Sequence, residues 1–168
     1  DEKALNPIKN GADLILASNV FAHADDLKSM AESMKKLIKP DGKIIIEVQY
    51  LLKTIKDLTF DNIYHEHTNY WSVTSLDKFF KDLGLKIFNV EEIDTHGGSI
   101  RVYVSQEKEI RISKNVQDFL KNEESFGLKK ISTYIDFGKK IENLKKQVLK
   151  NIKSMKEKNP SIIGYGAP

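Results

Sequence analysis

The chain has 168 residues, 40% hydrophobic and 30% charged, with a net charge of +3; that length suits one soluble domain able to bury a core. Lysine supplies almost all of the basic charge, with Arg101 and Arg111 the only arginines, which excludes the dense arginine clustering of a nucleic-acid surface. No cysteine is present, so there is no disulfide frame, thiol nucleophile or cysteine zinc site and a cytoplasmic location fits, while no apolar run reaches the length of a membrane span.

Residues 12 to 17, ADLILA, are a short apolar run suited to a strand buried on both faces. SNVFAHAD follows as a loop, and Asp25 or Asp26 can N-cap a helix. In that helix Leu27, Met30, Ala31, Met34, Leu37 and Ile38 fall on one face. Pro40-Asp41-Gly42 reads as a turn, with proline presetting φ and glycine allowing φ > 0. KIIIEV is a second buried strand, which completes a βαβ unit with parallel strands.

Beyond the segment FDNIYHEHTNYWS, residues 60 to 72, TSLDKFFKDLG reads as a helix with Thr74 as N-cap and Gly84 as its stop. LKIFNVEEI is a strand. SIRVYVS is another, with Ile100, Val102 and Val104 alternating against Arg101 and Tyr103. The link DTHGG is short enough for an antiparallel hairpin. Ser113 begins a helix to about residue 123, and a longer lysine-rich helix is predicted over 127 to 158, ended by Pro160. Its charged side reads as a solvated face, not a membrane or nucleic-acid surface. The chain starts without an initiator Met and stops at IIGYGAP, so it reads as a piece of a longer polypeptide whose next unit opens with a strand and a glycine turn.

Four stretches carry chemistry. FDNIYHEHTNYWS gathers two of the four histidines, a glutamate, two tyrosines and the only tryptophan. A metal site there is disfavoured: the HExxH spacing is absent, and in an extended segment His65 and His67 share a side while Glu66 faces away. Acid–base chemistry fits better, since histidine titrates nearest neutral pH and a carboxylate can orient it. His23 follows a parallel strand, where open α/β sheets bind ligands, so by position it is equally a ligand contact or a plain loop histidine leading into the helix. His96-Gly97-Gly98-Ser99 with Arg101 suits either a plain hairpin or close approach to a phosphate. Gly164-Tyr165-Gly166 is a lone GxG, a weak nucleotide signal.

Taken together, DLILASNVFAH, KPDGKIIIEVQYL, FDNIYHEHTNYWS, HGGSIRVYV and GYGAP resemble the S-adenosylmethionine-dependent sugar C-methyltransferases, in the order and spacing of that family. YHEH and HGGSxR are the specific parts; DLIL with KPDG alone would mark only a generic class I methyltransferase. The resemblance implies an α/β fold, the C-terminal half of a class I Rossmann-like sheet. Its strands would be 4-5-7-6 with strand 7 antiparallel, followed by a helical linker. Residues 1–110 would be the partial methyltransferase domain, 111–159 the linker and 160–168 the start of a C-terminal Rossmann-like domain. Complete members also have an N-terminal zinc-binding domain and a glycine-rich cofactor loop, both outside this chain, so the piece alone is expected to be inactive.

The implied reaction adds a methyl group from S-adenosylmethionine to the carbon next to the keto group of a nucleotide-diphosphate-linked deoxysugar. By resemblance His67 is the base, Glu66 supports or replaces it, and Tyr64 and His23 hydrogen-bond the sugar or its enolate. Ser18 and Asn19 would lie near the cofactor. Tyr70, His96, Gly97, Gly98, Ser99 and Arg101 would lie near the substrate, and no metal is expected in this chain. One departure is visible: the family usually reads EVPYL where this chain has Glu47-Val48-Gln49-Tyr50-Leu51. A non-catalytic α/β ligand-binding module and a non-sugar keto substrate remain the alternatives.

Overall fold

A computed structural model describes residues 10–159 and 161–166. Pro160, expected to end the last helix, and Ala167 and Pro168 of the terminal turn lie outside the described residues. By its internal contacts the chain divides into two compact units, residues 1–129 and 130–168.

The first unit is an α/β layer structure. Its elements are β1 (Ala12–Ser18), α1 (Leu27–Leu37), β2 (Ile38–Gln49), α2 (Leu51–Asp57), a 3₁₀ turn (Phe60–Asn62), α3 (Val73–Asp82), β3 (Lys86–Ile93), β4 (Ser99–Ser105) and α4 (Lys114–Phe126). The four strands form one mixed sheet in the order β1-β2-β4-β3. β1 and β2 are parallel, and β4 runs antiparallel between β2 and β3. This is the 4-5-7-6 order expected from the sequence, including the inserted antiparallel strand.

Period-two alternation builds the core. Ile44, Ile46 and Val48 of β2 stand opposite Val104, Val102 and Ile100 of β4, and all six side chains are at most 1% exposed. Each such aliphatic side chain contributes roughly 1.5–3 kcal/mol by leaving water, and their pairing pins the register. Leu76 and Phe80 of α3, Val116 of α4 and Leu52 and Ile55 of α2 are buried as well.

Several expectations are corrected. ADLILA forms a strand, but it is not buried on both faces: Leu14 is 50% and Leu16 67% exposed, because β1 is the sheet's edge and nothing among the described residues covers that face. Pro40-Asp41-Gly42 is not a free turn. Ala12 pairs with Ile38 and Leu14 with Lys43, so Asp13 alone faces the looped-out residues 39–42, a wide bulge within β2. Lys39 Nζ donates to Asp13 Oδ1 at 2.7 Å across it, and Gln106 Nε2 donates to the Ile38 and Lys39 carbonyls.

Gly42 is required for space, not for a positive φ: a Cβ there would lie 2.8 Å from the Ala12 carbonyl oxygen and 2.8 Å from Ile38 Cγ1. Gly42→Ala is expected to lower stability by about 1–3 kcal/mol. The shift of the urea midpoint measures it, and an unchanged midpoint would show that the bulge is free to move.

The N-cap of α3 is Ser72 and not Thr74. Ser75 N–H donates to Ser72 Oγ while Ser72 N–H donates to Ser75 Oγ, a reciprocal capping box. Gly84 ends that helix as expected, at φ +70. Leu85 N–H reaches back to the Phe80 carbonyl and Gly84 N–H to that of Lys81, a Schellman closure. Ser113 does precede α4, but its hydroxyl is given to Asn89 Oδ1 at 2.7 Å instead of capping the helix. The seven-residue helix α2 was not anticipated.

The second unit holds α5 (Ile131–Lys158). It begins at 131 and not 127, because Gly127 at φ +86 closes α4 and Leu128 is buried in the turn. Residues 161–166 form no strand; a strand exists only with a partner to pair with, and none is present among the described residues.

Candidate active site

Two loops meet at the carboxyl ends of β1 and β2, the place where open α/β sheets bind ligands. The first leaves β1 through Asn19, whose φ is +53 and whose N–H donates to the Glu47 carbonyl at 3.0 Å. The second runs from the 3₁₀ turn through a β-turn in which His67 N–H donates to the Tyr64 carbonyl at 3.1 Å. An aromatic cluster anchors both. The Phe21 ring, 0% exposed, lies 5.6 Å from Trp71 and 5.9 Å from both Phe79 and Phe80. Phe21 stands just before His23 and Trp71 just after the His67 turn, so their packing holds the two histidines together. Two hydrogen bonds close the seam: Thr68 Oγ1 to the Ala22 carbonyl at 3.1 Å, and His23 Nδ1 to the Glu66 carbonyl at 2.9 Å.

The backbone fixes the form of both rings. His67 Nδ1 is 2.8 Å from the Asn62 carbonyl oxygen. A carbonyl can only accept, so Nδ1 carries the hydrogen and in the neutral ring Nε2 carries the lone pair. The Tyr64 hydroxyl lies 3.3 Å from that Nε2 and donates to it. The same logic applied to the Glu66 carbonyl makes Nε2 the basic nitrogen of His23. The two imidazole centroids are 4.9 Å apart, and the Tyr64 ring is 4.4 Å from that of His67.

These groups line a cavity of about 190 Å³, together with Asn19, Ala22, Val48, Gln49, Asn62 and His96. Among the described residues no aspartate, glutamate, lysine or arginine lines it. Its polar surface is carboxamide, imidazole and phenol, groups that suit a neutral, hydroxyl-bearing ligand.

A family model described as "Methyltransferase domain" matches residues 2–90, and one described as "C-methyltransferase C-terminal domain" matches residues 94–168. The C-methyltransferase NovU of Streptomyces niveus is 33% identical over 160 residues. The chain belongs to the methyltransferases. The match to NovU covers 94% of this chain and 38% of that relative, so the chain spans well under half of its length. Solved structures similar in part include the complex of the Haloferax volcanii Trm112 methyltransferase activator with a methyltransferase, at 16% identity and TM-score 0.49, over 59% of this chain and 55% of that one. Another is magnesium protoporphyrin IX methyltransferase from Synechocystis PCC 6803, at 14% identity and TM-score 0.43, over 56% and 44%.

Within this methyltransferase chain, the structure brings together five of the residues singled out from sequence: Asn19, His23, Tyr64, His67 and His96. The remainder stand elsewhere. Residues 64–67 form a turn, not an extended segment, so His65 and Glu66 occupy its outer corner with side chains 88% and 60% exposed. The Glu66 carboxylate pairs with no atom of His67; its backbone carbonyl is what serves the site, by orienting His23. Tyr70 does not line the cavity, and burial raises its phenol pKa above the ordinary value. Gly97 and Gly98, at φ +77 and +112, build the hairpin turn. Ser99 is 0% exposed and donates to the Thr95 carbonyl. Among the described residues no group of three or more histidines and carboxylates is placed to hold a metal ion.

Ser18 and Arg101 both serve Glu47. Ser18 Oγ donates to Oε2 at 3.0 Å, while Arg101 Nε and Nη2 reach Oε1 at 2.8 and 2.7 Å. Arg101 is therefore engaged by a carboxylate and is not an open fork for phosphate. Its hydrogen bond holds the Glu47 carboxyl below the usual glutamate range. A depressed folded pKa gives stability that is present above the unfolded pKa, about 4.3, and lost as pH falls through the folded value. The fall in stability below about pH 4 should therefore be shallower in Glu47→Gln than in the parent, as read by urea titration at a series of pH values. Equal acid slopes would show that the pair contributes nothing.

Asn62 and Gln49 were not foreseen as site residues. Asn62 acts through a backbone carbonyl, which no residue type advertises. Gln49 did carry a signal: it alternates with the buried Val48 and Tyr50 at the carboxyl end of a parallel strand.

Proposed function

We propose that the full-length protein methylates the carbon next to the keto group of a nucleotide-diphosphate-linked deoxysugar, through an enolate formed by His67. The observation that carries this is the Asn62 carbonyl on His67 Nδ1, 2.8 Å away, which leaves Nε2 as a base facing an uncharged cavity. S-adenosylmethionine, when bound, supplies the methyl carbon that the enolate carbon attacks, the sulfur leaving with the C–S electron pair. Asn19, with its carboxamide in the cavity wall at the end of β1, would stand toward that donor, and Ser18 behind it.

The chain's own work is proton transfer and orientation. The substrate C–H takes the place of the Tyr64 hydroxyl at Nε2. Its proton passes to Nε2, and the C–H electron pair moves into the carbonyl to give the enolate. The charge that appears on the imidazolium is met by the Asn62 carbonyl, which strengthens the existing bond. Tyr64, freed from Nε2, is the donor for the enolate oxygen, while His23, whose Nδ1–H is held by the Glu66 carbonyl, offers Nε2 as an acceptor for a substrate hydroxyl. The single keto group and hydroxyls of a sugar ring match the neutral lining.

The test supplies full-length protein with S-adenosylmethionine and a nucleoside-diphosphate 4-keto-6-deoxyhexose, and reads the product mass for one added methyl. In parallel, deuterium uptake from solvent at the carbon next to the keto group is followed without the donor. Neither methylation nor exchange would overturn the keto-sugar reading.

A further inference from the structure

We propose that Gln49 is a specificity-determining residue, whose carboxamide reads a hydroxyl of the ligand held in the cavity between β2 and the His67 loop. The inference rests on the function proposed above and deepens it. Position comes first. Gln49 is the last residue of β2, and its backbone is held in register opposite Ser99. Val48 and Tyr50 on either side are 1% and 0% exposed. Strand alternation therefore turns the Gln49 side chain away from the buried face of Val48 and Tyr50, and at the strand's end Gln49, like Val48, forms part of the cavity wall.

Its hydrogen-bonding state comes second. Polar side chains nearby on β2 and β4 are committed: Glu47 to Ser18 and Arg101, and Ser99 to the Thr95 carbonyl. The Gln49 carboxamide has no hydrogen-bond partner among the described residues. A half-buried amide with one acceptor and two donors unused is complementary to a hydroxyl, which also both donates and accepts. The uncharged lining among the described residues directs that match to a neutral ring rather than to the diphosphate.

A polar group placed to bond a substrate hydroxyl discriminates more sharply than an apolar wall, because the analogue lacking the hydroxyl leaves the protein group unpaired. The experiment compares two probes with the full-length protein: a nucleoside-diphosphate 4-keto-6-deoxyhexose and its counterpart lacking one further ring hydroxyl. Wild type should prefer the probe that keeps the hydroxyl by about tenfold or more in kcat/KM, and a preference for the probe lacking it overturns the role of Gln49. Gln49→Leu should bring the two probes to within about threefold of each other, chiefly through a raised KM for the preferred probe, with kcat little changed. Calorimetric binding of the preferred probe without the methyl donor should weaken in step. Gln49→Asn, which keeps the amide, should retain part of the preference. Wild-type protein that methylates these probes with a preference unchanged in Gln49→Leu overturns the role of Gln49 and leaves the reaction standing. Wild-type protein that neither binds nor methylates either probe overturns the keto-sugar reading, and this inference with it.

Discussion

His67→Asn in the full-length protein is expected to lower turnover by about 10²–10⁴-fold, the usual range for loss of a general base. Asparagine keeps a polar side chain near the Asn62 carbonyl but cannot accept the proton. Folding should survive the change, because the loops are held by the Phe21–Trp71 packing and the Thr68–Ala22 bond and not by the His67 ring alone. The decisive measurement is solvent deuterium exchange at the carbon next to the keto group, followed without a methyl donor. That exchange should vanish in His67→Asn. It should persist in His65→Asn and Glu66→Gln, whose side chains are 88% and 60% exposed at the outer corner of the turn in the parent. Tyr64→Phe should slow it less than the loss of His67, since it removes a donor and not the base. If Glu66→Gln stops exchange and His67→Asn does not, the loop rearranges on binding and the carboxylate is the base.

The strands and their nearest pairings were legible because their rules are local, while the order of all four came from the family resemblance. The alternation of Ile100, Val102 and Val104 and the compact run KIIIEV each signal a strand without reference to the rest of the chain. The short DTHGG link forces β3 and β4 together, and a strand–helix–strand unit makes β1 and β2 parallel. What failed was whatever depends on a distant partner. Leu14 and Leu16 look like core residues by type, but at an edge strand their burial requires a neighbour that the described residues do not include. Asp41-Gly42 has turn chemistry, yet Gln106 and Asp13 hold that segment against the sheet as a bulge. Within the site, residue types pointed to His23, Tyr64 and His67. The backbone carbonyls of Asn62 and Glu66, which set both imidazole tautomers, have no signature in sequence.

Glu123 shows the same limit most plainly, and it yields the largest expected effect on stability. In sequence its neighbours are Lys121, Asn122, Glu124 and Ser125, and nothing in that run marks it for burial. In the structure it is 1% exposed. Its Oε1 accepts Val73 N–H at 2.6 Å and its Oε2 accepts Thr74 N–H at 2.8 Å. These are orphan donors of the first turn of α3, and the helix dipole favours a negative charge there. Ser72 Oγ takes Ser75 N–H, so one turn is closed by a serine and a carboxylate from α4. The buried Tyr50 hydroxyl has no hydrogen-bond partner among the described residues. Burial first, and then the nearby Glu123 charge, push its pKa far above the ordinary tyrosine value. Glu123→Ala leaves two buried N–H groups unsatisfied and opens a cavity, and should cost about 3–5 kcal/mol. Glu123→Gln keeps the volume and one acceptor but turns an NH₂ toward an N–H, and should cost about 1.5–3 kcal/mol. Urea unfolding gives both values, and amide hydrogen exchange at Val73 and Thr74 should accelerate in the same order. Because α3 continues directly from Trp71, the same loss should loosen the loop that carries His67. An alanine variant within about 1 kcal/mol of the parent would mean that water replaces the carboxylate and that α4 does not hold the start of α3.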